Sequence, residues 1–123
     1  MVGYTTLGTS DLDRAIAFFD SLLGEFGAKQ VLNDGRMVVW GKDFSKGMVA
    51  ICKPFDGKPP SVGNGVMIAL NMETPDGVEK LHAKALELGA SDEGAPGERM
   101  KGFYGAYFRD LDGNKFCGFC MGA

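Results

Sequence analysis

The chain carries a single histidine, His82, in 123 residues. It has no run of lysines and arginines, and its formal net charge is −3. Without a basic patch there is nothing to neutralise phosphates or an anionic bilayer, so neither nucleic acid nor a membrane surface is expected as a partner. No apolar run approaches the roughly 18 residues that would span a bilayer. The N-terminus has no basic segment followed by an apolar one, and a cytoplasmic location is expected. Cysteine is sparse and odd in number: Cys52, Cys117 and Cys120 have no framework spacing and read as reduced thiols. Proline is limited to 5 residues and no segment is low in complexity.

What the chain does have is glycine, 19 residues, and 45% apolar residues. That is enough for one compact domain with many tight turns between short strands. Val2–Thr9 is β-prone. Ser10 or Asp11 then caps a helix over about Asp11–Leu23, with Leu12, Ala15, Ile16, Phe19, Leu22 and Leu23 on its apolar stripe. Short strands are predicted at Ala28–Leu32, Met37–Trp40 and Gly47–Lys53, the first two joined by a turn at Asn33-Asp34-Gly35.

After a loop at Pro54–Asn64 the order repeats. Gly65–Glu73 reads as a strand. Thr74-Pro75-Asp76 opens a helix with Val78, Leu81, Ala85, Leu86 and Leu88 on its buried side. Ala90–Glu93 reads as a short strand and Gly94–Gly102 as a loop. Tyr104–Arg109, a turn at Asp110–Asn114 and Lys115–Met121 form a closing hairpin. Two β-α-β-β-β halves therefore follow one another, about 1–53 and 65–121, joined by loop 54–64. Tyr4 falls on Met67, Trp40 on Phe108, and Ala50 on Cys117.

The closing stretch, an aromatic strand followed by R-D-L-D-G-N-K and an apolar strand, resembles that of the glyoxalase / bleomycin-resistance / extradiol-dioxygenase group, the vicinal oxygen chelate superfamily. The opening S-D-L-D-R-A-I-A-F-F-D (Ser10–Asp20) and D-E-G-A-P-G (Asp92–Gly97) carry the same resemblance. It covers essentially the whole chain. It implies an α+β fold in which the two tandem units build a curved mixed sheet around a cup, and it implies a homodimer.

In metal-using relatives the ligands come from the first and last strands of each unit. Those places hold Tyr4, Ala50, Met67 and Cys117 here. Tyr4 and Met67 stand where histidines are usual, Cys117 where a glutamate is usual, and Ala50 cannot ligate. Hard divalent ions need oxygen or imidazole donors, and the sulfur pair Met67 and Cys117 suits only a soft ion such as Cu(I). No metal site and no cofactor are expected.

Side chains two apart on a strand share a face. Lys115 therefore shares one with Cys117 and Phe119, and Met48 with Ala50 and Cys52. The expected ligand-binding set is Tyr4, Trp40, Ala50, Met67, Tyr107 and Cys117, with catalytic residues unassigned. Arg99 and Lys101, in the loop before Tyr104, could meet an anionic substrate. Arg109 with Asp110 reads as an ion pair that holds the hairpin, and His82 as a helix-face residue beside the apolar stripe. Two functions stay open. One is a metal-independent protein that binds a small molecule in an apolar and aromatic cup, as bleomycin-resistance relatives do. The other is a divergent glyoxalase-like lyase or isomerase with a non-standard site. Typical metal-dependent glyoxalase I or extradiol dioxygenase chemistry is not expected without its ligands.

Overall fold

The structure is a computed structural model that describes residues 1–122. The chain divides into two compact units, Met1–Ser61 and Val62–Ala123, and the two have the same topology. The first runs β1 (Tyr4–Gly8), α1 (Leu12–Gly24), β2 (Lys29–Asn33), β3 (Met37–Gly41) and β4 (Met48–Cys52). Its sheet order is β1-β4-β3-β2, with β1 and β4 parallel and the other pairs antiparallel. The second runs β5 (Ile68–Asn71), α2 (Pro75–Glu87), β6 (Ser91–Met100), β7 (Phe103–Arg109) and β8 (Lys115–Met121). Its order is β5-β8-β7-β6, again with one parallel pair, β5 and β8.

Local chemistry sets the element ends. Asp11, not Ser10, caps α1: its carboxylate accepts the Arg14 N–H at 3.1 Å, satisfying a donor the helix leaves unpaired. Thr74 caps α2 by accepting the Gly77 N–H at 3.0 Å. At the β2–β3 turn, the Asp34 carboxylate accepts the N–H groups of Arg36 (2.9 Å) and Met37 (2.7 Å). Gly35 supplies the positive φ of 88° that the turn needs.

Each helix covers one face of its own sheet. Leu12, Ala15, Phe18, Phe19, Leu22 and Leu23 are the buried stripe of α1, so Phe18 takes the place expected for Ile16. Phe19 lies against Trp40, ring centroids 5.5 Å apart. In the second unit Val78 packs with Ala106 and Cys120. A Cβ on Gly118 would stand 2.5 Å from Leu81 Cδ2, so only glycine lets α2 come this close to β8.

Three sequence expectations need correction. β5 is shorter than Gly65–Glu73: a turn closes from Val66 N–H to Gly63 O, and Asn71 caps the other end through Glu73 N–H. β6 runs ten residues, through the stretch read as the loop Gly94–Gly102. It pairs only with β7, as an edge strand with three register shifts, and an edge tolerates the Pro and Gly that would break a central strand. Finally, Arg109 does not pair with Asp110. Its Nε bonds Glu93 at 2.9 Å and its Nη1 bonds Gly113 O at 2.9 Å. The Asp110 carboxylate instead accepts the N–H groups of Asp112 and Asn114 and the Asn114 amide.

Candidate functional site

In each unit the helix leaves one sheet face uncovered; this open face carries Tyr4, Met48 and Ala50 in the first unit and Tyr107, Lys115 and Cys117 in the second, with Met48, Ala50 and Cys117 themselves buried. Tyr107 on β7 lies directly opposite Cys117 on β8, and Ala69 on β5 lies on the other side of Cys117. One step along, Gly105 faces Phe119, and Phe119 stacks on Phe103 with centroids 5.5 Å apart and planes 4° from parallel. A Cβ on Gly105 would stand 2.9 Å from Phe103 Cε1 and 3.7 Å from Cys117 Sγ. The glycine thus lets the aromatic pair lie flat beside the thiol.

Two cations frame the Tyr107 ring. Arg99 on β6 holds its guanidinium carbon 5.4 Å from the ring centroid, and Lys115 on β8 holds its ammonium 5.5 Å away. Both are within cation–π range. The Arg99 guanidinium also donates to the Ala95 carbonyl. Lys115 also lines a cavity of about 670 Å³, together with Val62, Val66, Met67, Arg109 and Gly113.

The titratable groups here favour their neutral forms. Burial is the main reason that the Cys117 thiol lies above its ordinary value, against the opposing pull of a Tyr107 hydrogen bond, Arg99 and Lys115. Burial also raises the Tyr107 phenol, helped by the negative charge the neighbouring thiol would carry. A nucleophilic cysteine needs the opposite shift. Cys117 is 1% exposed, so the half-buried Tyr107 hydroxyl is the group of the pair that a ligand can reach.

The expected ligand-binding residues divide by unit. Tyr107, Cys117 and Met67 belong to the open face of the second, Met67 just before β5 and 40% exposed. Tyr4 and Ala50 lie on the corresponding face of the first: Tyr4 is opposite Met48 and 50% exposed, while Ala50 is buried against Val39 and Met48. Trp40 is on the other side. It is 1% exposed, packs on Phe19 of α1 and donates its indole N–H to Asp20 at 2.8 Å. Alternation along β3 gives the reason: Trp40 occupies the place of Phe108, also buried, so Val39 is the residue that takes the place of Tyr107.

At the four positions where the resemblance would place metal ligands stand Tyr4, Ala50, Met67 and Cys117, with no imidazole and no carboxylate among them. Among the described residues no three His, Cys, Asp or Glu side chains converge. His82 is 6% exposed and its Nε2 bonds Asp92 at 3.0 Å, tying α2 to β6.

Sequence reading placed Arg99 in a loop rather than a strand and gave Lys115 only a shared face with Cys117. The signal for Arg99 was its spacing from Gly94 and Gly97, two positions without side chains on the strand that carries it.

A family model described as the Glyoxalase/Bleomycin resistance protein/Dioxygenase superfamily matches residues 1–117. Among solved structures, a glyoxalase/bleomycin resistance protein from Albidiferax ferrireducens T118 is 31% identical, with 98% of each chain covered and a TM-score of 0.87. The hypothetical protein SA1046 from S. aureus is 27% identical over 98% of this chain and 92% of its own, TM-score 0.76. A lactoylglutathione lyase from Agrobacterium tumefaciens shares the fold at 22% identity, covering 97% and 92%, TM-score 0.71. No curated protein matches.

Proposed function

The chain belongs to the Glyoxalase/Bleomycin resistance protein/Dioxygenase superfamily, and from that premise we propose that it is a small-molecule-binding protein that works without a metal. The ligand rests on the apolar and aromatic open face of the second sheet, against Tyr107, Cys117 and Met67. The observation that carries this reading is the Tyr107–Cys117 pair itself. At the position where metal-using relatives place a carboxylate ligand, this chain has a thiol that burial keeps protonated, with a phenol for a partner. The half-buried Tyr107 hydroxyl, with the buried thiol as its partner, recognises a ligand through a hydrogen bond beside an apolar wall, which is how small-molecule sites are commonly built. Within this reading the protein acts as a cytoplasmic homodimer, which gel filtration of the untagged protein checks.

The test is a thermal-shift survey of metal-stripped, tag-free protein against divalent metals and against aromatic and aliphatic small molecules. A ligand that binds only the folded state at 100 times its dissociation constant adds about 2.7 kcal/mol. At about 4 °C per kcal/mol for a chain of this size, that is a rise of roughly 10 °C. The expected result is stabilisation by small molecules that is indifferent to metal. One equivalent of Ni, Zn, Fe or Mn in the purified protein, or stabilisation by such ions alone, would overturn the proposal.

A further inference from the structure

The proposed ligand face holds two cations that have no anion of their own. Among the described residues neither Arg99 nor Lys115 has a carboxylate at ion-pair distance, whereas Arg109, which also lines the cavity, is bound to Glu93. Two positive groups over one half-buried ring raise the local potential. Their pull on the Cys117 thiol, against its burial, is the same field felt at a neighbouring atom.

The placement of Arg99 is built rather than incidental. A Cβ on Gly94 would stand 3.1 Å from Arg99 Nη2 and 3.0 Å from Tyr107 Cδ2, and a Cβ on Gly97 would stand 2.9 Å from Arg99 Nη1. A side chain at either position would crowd the guanidinium, which would have to shift to make room. Its hydrogen bond to Ala95 O fixes the other side of the group and leaves further N–H donors of the fork for a ligand. Lys115 stands between the ring and the cavity, where Val62, Val66 and Met67 are 47%, 49% and 40% exposed. A charged end and an apolar wall therefore meet at one residue.

We propose that this face takes an organic acid, with the carboxylate held by Arg99 and Lys115 over Tyr107 and the apolar body lying along Val62, Val66 and Met67. The planar fork of arginine matches a carboxylate in two parallel bonds, and lysine adds a point charge. The inference rests on the reading of this same face as the ligand site, and it adds the charge and shape of what binds there.

Calorimetric titration with three probes of one body tests it: 4-phenylbutyrate, 4-phenylbutanol and 4-phenylbutylamine, with inorganic phosphate as a fourth. The acid should bind roughly tenfold more tightly than the alcohol, and the amine and phosphate more weakly than either. Rising ionic strength should weaken the acid and leave the alcohol unchanged. Arg99→Met and Lys115→Met should each remove most of the acid's advantage without altering the alcohol. Arg99→Lys and Lys115→Arg should retain part of it. Melting temperatures of the free variants show that they fold; should Arg99→Met not fold, the Lys115 pair carries the test alone.

Equal binding of acid and alcohol would overturn the organic-acid inference and leave a small-molecule site standing. So would an acid preference that both methionine variants keep, or phosphate binding as tightly as the acid. If no probe binds the wild-type protein, the inference falls together with the reading beneath it.

Discussion

Replacing Gly77 by alanine should destabilise the protein, although alanine is the better helix former by about 1 kcal/mol. Gly77 lies in the first turn of α2. A Cβ there would stand 2.6 Å from the Met72 carbonyl oxygen, with Met72 Cβ at 3.2 Å and Thr74 Oγ1 at 3.4 Å. The carbonyl is not free to retreat. It accepts the Thr74 N–H at 2.7 Å, and the Met72 N–H bonds Phe119 O at 2.7 Å, which anchors this corner to β8. Between them Glu73 already sits at φ 69°, a left-handed conformation that costs a non-glycine residue about 1 kcal/mol or more.

An added methyl group must therefore displace backbone rather than the end of a side chain. Overpacking of this kind costs typically about 1–3 kcal/mol. Set against the propensity gain, the expected net loss is about 1 kcal/mol, which lowers the melting temperature by about 4 °C. Urea denaturation with an unchanged m-value gives the same difference as a shift in midpoint. Gly24, the last residue of α1, supplies the control. Nothing lies within 4 Å of its would-be Cβ and its φ is not positive, so Gly24→Ala should gain up to about 1 kcal/mol. If Gly77→Ala proves as stable as the wild type, or both alanines stabilise equally, the steric reasoning is wrong.

Asp20→Ala strands the buried Trp40 indole N–H, which donates to that carboxylate at 2.8 Å. The expected cost is about 1–3 kcal/mol, read from the fluorescence of the single tryptophan during urea unfolding; a change under about 0.5 kcal/mol would refute it. Thiol titration of the native protein should find one accessible cysteine, the half-exposed Cys52, and three after unfolding; fast modification of Cys117 would contradict its burial. Hydrogen bonding from Gly94 N–H, and then from His82, holds the Asp92 carboxyl below its ordinary 3.8. A lowered carboxylate stabilises the fold above that value and loses its contribution as pH falls through the folded-state value. Asp92→Asn should therefore be less stable than wild type at pH 7, and the gap should close below about pH 4; a gap that is constant with pH would count against it.

Much of the fold was legible because the helix-facing rows obey simple rules. Stripes at three- and four-residue spacing, capping residues before them and Asx-Gly turns between strands are local signals with local causes. β6 was illegible beyond Glu93 because Gly94, Pro96 and Gly97 read as loop residues, and only pairing with β7 along an unpartnered edge makes them a strand. Arg109 was misassigned because Asp110 is its neighbour in sequence whereas Glu93, on β6, is its neighbour across the sheet. Trp40 was taken for a ligand contact on residue type alone. Its place in the repeat, opposite Val49 as Phe108 is opposite Phe116, would have sent it to the helix side.

That repeat also says where function can diverge. Each unit needs its helix-facing rows to fold, and both keep them apolar: Trp40, Val38 and Ile51 in the first, Phe108, Phe116 and Cys120 in the second. The rows on the other face differ between the units. Where the second unit has Tyr107 opposite Cys117, the first has Val39 opposite Ala50; where the second has Arg109 opposite Lys115, the equivalent positions are Gly41 and Met48. Met48 closes over Gly41, whose Cβ would lie 2.3 Å from Met48 Cγ, and packs with Val39 and Ala50 as a plain aliphatic layer. At these four equivalent positions the first sheet has Val39, Ala50, Gly41 and Met48 where the second has a phenol, a thiol and two cations. If the proposed site is right, substitutions at Arg99, Tyr107 and Lys115 should change which ligands bind, whereas substitutions at the buried Val39 and Ala50 should change stability.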